Sequence, residues 1–450
     1  MAERTGCAQA LARPGQVRLD GLLGEALEAN RRGRLSTFIT GPDSPAIAIF
    51  DPAHREHNEE GDWYGEHAGK WLAAAAKAAA RSDDADLRGR VLAVADHLLQ
   101  VQAADGYLGT YAPARRFMVP QPPRPESWNG EPALRTWDIW THAYLLLGLM
   151  EVHRCFGQIR HLDGARRIAD LCWRVFCEQG LDITSVGNHH GMSATVLLDP
   201  AAALYLETGE PRYLELAERI LEQANAQPRL ALLDRALAGA DPSEIATGKA
   251  YQLCWNLVGL ARLYRATGRE DLRRALDLQW QAIRDHHLSL GGGPFGGIGH
   301  RSREVFNPAG VFDPEAYIET CSVLAWIQLN RELLAITGDV RHAEEIERSA
   351  YNDLLGAQAQ GFVATARFEP AHGLLANLGR RRNSPGGCVG SRRAGRRLDG
   401  CRRCRVSHTT PRHGQAQARG QEHRRPLGTL LVDAFVNHWF FPDSKSRVIS

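Results

Sequence analysis

The sequence contains 450 residues, of which 44% are hydrophobic and 24% are charged, and its formal net charge is +2. This composition is ordinary for a globular protein, and the nine irregularly spaced cysteines exclude a regular disulfide framework. No run of 18 apolar residues occurs, and the first residues, "MAERTGCAQALARPGQ", lack the apolar core of a signal peptide. We therefore expect a cytoplasmic protein that does not associate with membranes and whose cysteines are thiols.

Helical patterns dominate residues 60–356. Stretches such as "KWLAAAAKAAA" and "LRGRVLAVADHLLQVQ" repeat apolar residues at intervals of three and four. Farther along, an apolar helix followed by a glycine-containing turn and a second helix recurs four times. Glycine adopts the left-handed conformation at little cost, so each unit is predicted to be an antiparallel hairpin. The turn glycines are Gly157, Gly209, Gly268 and Gly338.

The loops between these hairpins indicate how the hairpins are arranged. "DGYLGTY", "TWDIWTHAY", "GNHHGM" and "GGGPFGGIGHRSREVF" are rich in Gly, Trp, His and Tyr. Stacked hairpins form either an open solenoid or a closed ring, and such loops favour a closed (α/α) barrel with a pocket at one end. Aromatic, histidine and carboxylate side chains on loops suit sugar recognition. We predict substrate contacts from His67, His142 and His190, although a single histidine is more often structural or solvated.

A carboxylate and a thiol open the helix in "YIETCSVLAWIQLNREL". Glu319 and Cys321 are both zinc-ligand types, but two ligands do not make a site, and a helix-terminal carboxylate beside a buried cysteine is the alternative. Glu304 follows the glycine-rich "GGGPFGGIGHRSR", which lets the backbone approach a ligand closely. It is a candidate general acid/base, with an exposed loop carboxylate as the alternative.

The segment 380–425 has a different composition from the remainder. It holds fourteen Arg against Asp399 and Glu422, so it carries +12 while the other residues carry −10. Such a charge raises the possibility of nucleic-acid binding, but the segment lacks interleaved aromatics and helical periodicity. We interpret residues 361–450 as an irregular Arg-rich tail, non-native or disordered, of the kind that a reading-frame change produces, and we expect no nucleic-acid partner. Cys401 and Cys404 form a CxxC without a second pair.

Several motifs resemble one known family when taken in order. These are "DGYLGTY", "WDIWTHAYLLLGL", "GKAYQLCWNLVGLARLYRATG", "GGIG" followed by Glu, "ETCSVLAWIQLNRELLAITGD" and "ERSAYNDLLGAQ". The sequence over about residues 40–360 is similar to the β-L-arabinofuranosidases of glycoside hydrolase family 127 and their relatives. The resemblance implies an all-α (α/α)6 barrel at residues 41–360, preceded by an N-terminal segment at 1–40 and followed by the tail at 361–450.

The resemblance also implies a chemistry. Family members cleave β-L-arabinofuranosides with retention, using a zinc-bound cysteine nucleophile and a glutamate acid/base. By this similarity Glu319, Cys321 and Cys388 are the expected Zn²⁺ ligands, Cys388 is the nucleophile, and Glu304 is the acid/base. The expected partner is a carbohydrate, an L-arabinofuranoside or a related glycoside.

The sequence departs from the family at several positions. Gly387 precedes Cys388 where the family has two adjacent cysteines, so either Cys388 alone survives or the nucleophile is lost. Residues 420–450 cannot form the β-sandwich expected after the barrel. Tyr144 and Met192 stand where histidines are expected. These departures predict impaired activity, and they keep open a second interpretation, a non-catalytic helical-repeat relative that binds carbohydrate or protein.

Overall fold

The structure, a computed structural model, describes residues 7–8, 12, 16–58, 65–118, 136–297, 304–311 and 316–357. Within these ranges the chain is mainly helical, with two short strands, β1 (Phe295–Gly296) and β2 (Tyr317–Ile318). The helices are α1 (Gly21–Asn30), α2 (Pro45–Ala48), α3 (Pro52–His57), α4 (Glu66–Ser82), α5 (Ala85–Val101), α6 (Asp138–Phe156), α7 (Ile159–Trp173), α8 (Met192–Thr195), α9 (Leu198–Thr208), α10 (Pro211–Ala226), α11 (Leu232–Leu237), α12 (Ala250–Thr267), α13 (Glu270–His286), α14 (Thr320–Thr337) and α15 (Val340–Ser349).

Five helical hairpins form most of this architecture. They pair α4 with α5, α6 with α7, α9 with α10, α12 with α13, and α14 with α15. The first helix of each pair is buried along most of its length, whereas the second buries one apolar face. Helices that are buried all round must lie inside, and helices with a single apolar face lie outside. The first helices therefore form an inner ring and the second helices an outer ring.

The turn glycines that the sequence predicts end four inner helices. Each of them, Gly157, Gly209, Gly268 and Gly338, has a φ between 69° and 75°, the left-handed conformation that favours glycine. Each glycine N–H donates to the carbonyl oxygen four residues earlier, as Gly209 does to Tyr205 at 2.7 Å. Every inner helix thus reverses into its outer partner within a few residues, and the predicted hairpins are confirmed.

The inner helices pack closely and in parallel. Gly69 of α4 lies so near α6 that an added Cβ would be 2.2 Å from the Tyr144 carbonyl carbon. Residues near the N-termini of α4, α6, α12 and α14 meet at one end of the ring. Charged residues from the later parts of the same helices meet deeper in the barrel. We name the two ends of the ring the pocket end, at the inner-helix N-termini, where the sequence predicts the site, and the turn end, at the glycine turns.

The N-terminal helix completes the ring on one side. Leu23 and Leu27 of α1 are buried in an apolar cluster with Val323 and Ile327 of α14. The π-helical turn that follows α1 contacts α4. Part of the predicted N-terminal segment therefore packs between the first and the last described hairpins.

These features confirm the predicted all-α helical-hairpin barrel. Nowhere in the described ranges is a helix long and apolar enough to cross a membrane. The predicted Arg-rich tail at 361–450 and Cys388 lie outside the described residues. The domain boundaries at 40 and 360 stay predictions.

Candidate active site

Glu304 is brought to the pocket end by a small group of extended segments. β1 and β2 pair antiparallel, with Gly296 opposite Tyr317. Gly296 also forms a bridge with Phe306, so the segment beginning at Glu304 runs beside β1. A Cβ at Gly296 would lie 2.0 Å from the Val305 carbonyl oxygen, so only glycine allows this approach. The glycine-rich stretch therefore lets the segments of Glu304 and Glu319 lie near one another.

On its other side the Glu304 segment is joined to the start of α12. Lys249 forms an antiparallel bridge with Val305, flanked by backbone hydrogen bonds from Ala250 N–H to the Glu304 carbonyl (3.0 Å) and from Phe306 N–H to the Gly248 carbonyl (2.8 Å). The Lys249 ammonium makes an ion pair with the Glu304 carboxylate. Lys249 is 4% exposed, and burial lowers the pKa of its ammonium. The sheet therefore fixes both partners of a buried charged contact.

Glu319 and Cys321 lie next to this pair, and both are buried. The Glu319 carboxylate accepts a hydrogen bond from the Ser322 hydroxyl at 2.9 Å, which orients it at the start of α14. Burial raises the pKa of the Cys321 thiol well above its usual value, and the charge of Glu319 raises it further. Glu319 and Cys321 both act to raise the pKa of Lys249, so the three side chains share one electrostatic environment. This environment favours the thiol form of Cys321 over the thiolate.

A second lysine–glutamate pair lies beneath the thiol. Lys70 of α4 donates to Glu66 at 2.9 Å, and the Trp140 indole N–H donates to the same carboxylate. Burial alone would raise the pKa of Glu66, but Lys70, His67 and the Trp140 hydrogen bond together bring that pKa below its usual value. The ammonium of Lys70 also lowers the pKa of Cys321, although burial and Glu319 outweigh it.

Aromatic rings enclose this pair. The Lys70 ammonium lies 4.6 Å from the Tyr144 ring centroid and 5.6 Å from those of Trp140 and Tyr251. The Tyr144 and Tyr251 hydroxyls are hydrogen-bonded to one another. Tyr251 also packs on Trp255, with ring centroids 5.7 Å apart. Because Trp140, Tyr144 and Tyr251 are all buried, they form a packed aromatic wall around fixed charges at this end of the ring.

The three predicted histidines have different environments. His67 is the second residue of α4, its side chain is 36% exposed beside Glu66, and burial lowers its pKa to about 4. His190 is partly exposed, and burial lowers its pKa with a smaller contribution from Arg229. Both therefore lie where a neutral imidazole can meet a ligand, and their role in binding stays a prediction.

His142 differs from the other two, because it is fully buried. Its Nδ1 donates to the Asp138 carbonyl at 2.7 Å, and its Nε2 accepts from the Leu108 N–H at 3.1 Å. Both ring nitrogens are thus used by the backbone, and neither is left for a sugar hydroxyl. His142 thus holds the 105–111 loop against α6, and its role in substrate binding stays a prediction.

Two loops at this end contain left-handed residues. His189 and His190 have φ of 57° and 55°, and Ala246 has φ of 55°. Non-glycine residues in this region cost about 1–3 kcal/mol each and cluster at functional sites. A 2.7 Å hydrogen bond from His189 Nδ1 to the Thr247 hydroxyl joins the two loops next to Lys249. The strain is therefore concentrated beside the Glu304 pair.

The described residues supply part of a zinc site. Glu319 and Cys321 are a buried carboxylate and thiol close enough to interact, and Ser322 orients the carboxylate. Structural zinc takes four ligands and catalytic zinc three protein ligands, and among the described residues no group of three His, Cys, Asp or Glu side chains has a metal-binding arrangement. The donor types fit zinc, but further ligands must come from outside the described ranges.

The comparisons with known proteins decide the family. The profile for the glycoside hydrolase family 127 catalytic domain, described as β-L-arabinofuranosidase, matches residues 27–372. The chain belongs to this family. A curated relative, the non-reducing end β-L-arabinofuranosidase of Bifidobacterium longum subsp. longum, is 22% identical over 313 residues, which covers 63% of this chain and 44% of the relative.

Solved structures of family 127 share the fold. A β-arabinofuranosidase of the family superimposes with a TM-score of 0.59 at 20% identity, covering 77% of this chain and 55% of that one. A β-L-arabinofuranosidase from Geobacillus stearothermophilus T6 gives 0.58 at 21% identity, covering 76% and 57%. The chain therefore spans about half the length of the family 127 relatives it matches.

Sequence reasoning did not single out the two pocket lysines. Lys70 stands in "GKWLAAAAK" and Lys249 in "GKAYQLCWNL", and both stretches were recognisable as motifs. Neither spacing shows that each lysine pairs with a glutamate, because Lys249 meets Glu304 only through the small sheet. Tyr144, one of the departures noted in the sequence, is part of the aromatic wall.

Proposed function

We propose that this chain is a retaining glycoside hydrolase that acts on β-L-arabinofuranosides, with Glu304 as the acid/base. The observation that carries the proposal is the position of Glu304 at the pocket end, joined through Lys249 to the buried pair of Glu319 and Cys321. Family membership supplies the reaction class.

Each proposed role follows from ordinary glycosidase chemistry. In the first half-reaction Glu304 gives a proton to the leaving oxygen while a thiolate, proposed to be that of Cys388, attacks the anomeric carbon. In the second, the Glu304 carboxylate takes a proton from the water that displaces the thiol, and the anomeric configuration is retained. Over the full cycle the proton on Glu304 is restored.

Glu319 and Cys321 are the proposed ligands of a zinc ion. Zinc would hold a coordinating thiol in its ionised form at neutral pH. The structure gives a reason why a cation matters, since burial and Glu319 keep the pKa of Cys321 high. The Ser322 hydroxyl would orient the Glu319 carboxylate for that role by donating to its Oε2.

The second candidate function is a non-catalytic carbohydrate- or protein-binding relative. Gly387, where the family has a cysteine, favours it, because one of the two adjacent thiols is missing. The two functions differ in whether bond cleavage depends on Cys388 and Glu304.

A pair of anomers tests the proposal. With Zn²⁺ present, the unmodified chain should release aryl alcohol from an aryl β-L-arabinofuranoside and not from the α-anomer, more slowly than a relative with both cysteines. Cys388→Ser should abolish the release, while circular dichroism shows an unchanged helical fold. Release that is insensitive to Cys388→Ser would show that the nucleophile is wrongly assigned, and binding without cleavage would favour the second function.

A further inference from the structure

Lys249 occupies an energetically demanding position. Its side chain is 5% exposed, and moving an ammonium from water into such a site costs several kcal/mol unless opposite charges compensate. The compensating charge in contact is the Glu304 carboxylate, which is 25% exposed. Glu319 and Cys321 are the other ionisable groups that act on this lysine. The lysine is therefore held in place chiefly by the glutamate that we propose as acid/base.

The backbone holds both partners in register. Hydrogen bonds on either side of the Lys249–Val305 bridge hold the backbone of Glu304 beside that of Lys249. The 246–248 loop before Lys249 contains a left-handed alanine and is tied to His189 by a side-chain hydrogen bond. Such strain persists only where surrounding contacts determine the conformation. This end of the barrel thus maintains a costly backbone geometry directly beside the lysine–glutamate contact.

We propose that Lys249 is the positioning residue of Glu304: it fixes the carboxyl group toward the pocket and places a positive charge where negative charge develops as the proton leaves. The inference rests on the proposed function. A fixed positive charge lowers the free energy of the transition state in which Glu304 becomes a carboxylate. Because the charge is already in place, the protein does not have to rearrange during the reaction. The lysine itself gives up no proton and touches no reacting atom.

The proposal predicts a graded dependence on the leaving group. A leaving group such as 2,4-dinitrophenolate departs with little protonation of its oxygen, whereas phenolate needs protonation by the acid. A substitution that misplaces Glu304 should therefore harm the phenyl glycoside far more than the 2,4-dinitrophenyl glycoside. A substitution that only destabilises the fold lowers the active fraction and harms both substrates equally.

Three variants apply this test. We expect Lys249→Met to lose about 10²-fold in kcat/KM on phenyl β-L-arabinofuranoside and less than about tenfold on the dinitrophenyl substrate. Lys249→Arg, which keeps the charge, should recover part of the loss on the phenyl substrate. The control is Lys77→Met, because Lys77 forms another buried pair, with Glu151 at 3.4 Å, away from Glu304. It should change the two substrates by the same factor. Equal losses on both substrates in Lys249→Met would overturn the proposal and leave the proposed function standing.

A second measurement does not need turnover. Glu304 is labelled with a water-soluble carbodiimide and an amine, and the modified peptide is quantified by mass spectrometry. A carboxylate held by a lysine reacts slowly, so Lys249→Met should raise the labelling rate about fivefold or more, and Lys77→Met should not. If the unmodified chain turns nothing over, the proposed function fails, and labelling alone decides whether Lys249 fixes Glu304. An unchanged rate in Lys249→Met would overturn the inference.

Discussion

The pocket end and the more distant part of the barrel both bury lysine or arginine against carboxylates, yet the two arrangements differ. Deep in the barrel, Glu332 accepts from Arg265 at 2.9 Å and lies 3.5 Å from Arg262, which in turn lies 2.9 Å from Asp199. Lys77 and Glu151 form a further pair there. All of these groups come from well-packed inner helices.

At the pocket end the charges lie at helix starts and on loops. Glu66 begins α4, Glu319 precedes α14, and Glu304 lies on an extended segment. Left-handed histidines and a partly exposed carboxylate occur at this end. The comparison indicates that buried ion pairs have different roles in the two regions. On packed helices it contributes to one specific fold, whereas beside strained loops it holds a reactive group ready.

The largest effect on stability should come from breaking the helical network. Glu332→Gln leaves Arg262 and Arg265 without their shared carboxylate, and loss of one partner of a buried ion pair costs about 3–5 kcal/mol. We expect that decrease in the free energy of unfolding, measured by urea denaturation. Glu347→Gln, on the exposed face of α15, is the control and should stay within about 0.5 kcal/mol. A decrease in the free energy of unfolding no larger than that of the control would contradict the stabilising role of the interior ion pairs.

The same carboxylate should make stability depend on pH. Burial alone would raise its pKa, but Arg262 and its neighbouring arginines bring the pKa of Glu332 from 4.5 to about 2. Because the folded pKa is the lower one, the stabilisation is complete above pH 4.5 and is lost as pH falls toward 2. Between pH 7 and pH 3 this residue should account for a loss of about 2 kcal/mol. The urea midpoint of Glu332→Gln should therefore fall less than that of the unmodified chain, and parallel falls would contradict the assignment.

Zinc binding should distinguish the pocket end. We expect Cys321→Ser to weaken zinc affinity by at least about 10²-fold, measured by competition with a chromophoric chelator. Because a thiol loses its proton on binding, affinity should also weaken as pH falls. Cys254→Ser, which removes another buried thiol, is the control and should leave affinity unchanged. A chain purified without chelators that holds no stoichiometric zinc would favour the non-catalytic relative.

The smallest effect concerns the hairpin turns. Gly209 has φ of 72° and no atom within 4 Å of an added Cβ, so Gly209→Ala pays only for backbone strain, about 1 kcal/mol. Gly89, inside α5 with equally open space and ordinary φ, is the matched position. There Gly89→Ala should stabilise by about 0.5–1 kcal/mol. Thermal unfolding measures the sign of the stability change in both variants. Changes of the same sign would contradict the requirement for a left-handed glycine at the turn.

The sequence predicts the helical parts of this protein well because their signals are local. Helical periodicity and a glycine after four of the five described inner helices were enough to predict hairpins such as those that turn at Gly157 and Gly338. The burial of His142 could not be predicted from the sequence, since it depends on the loop that folds over this residue. Lys249 was missed because its glutamate lies on a distant segment, and no pattern in "GKAYQLCWNL" reveals a pairing made by tertiary bridges.

The most direct test sets one glutamate from each region against the other. We predict that Glu304→Gln lowers kcat/KM of the folded protein on a phenyl β-L-arabinofuranoside by a factor of about 10²–10⁴. Glu151→Gln, which leaves Lys77 buried without its partner, should lower the free energy of unfolding by about 3 kcal/mol while the folded fraction keeps its activity. Full activity in Glu304→Gln, or a specific loss of turnover in folded Glu151→Gln, would contradict the division between a catalytic end and a stabilising interior.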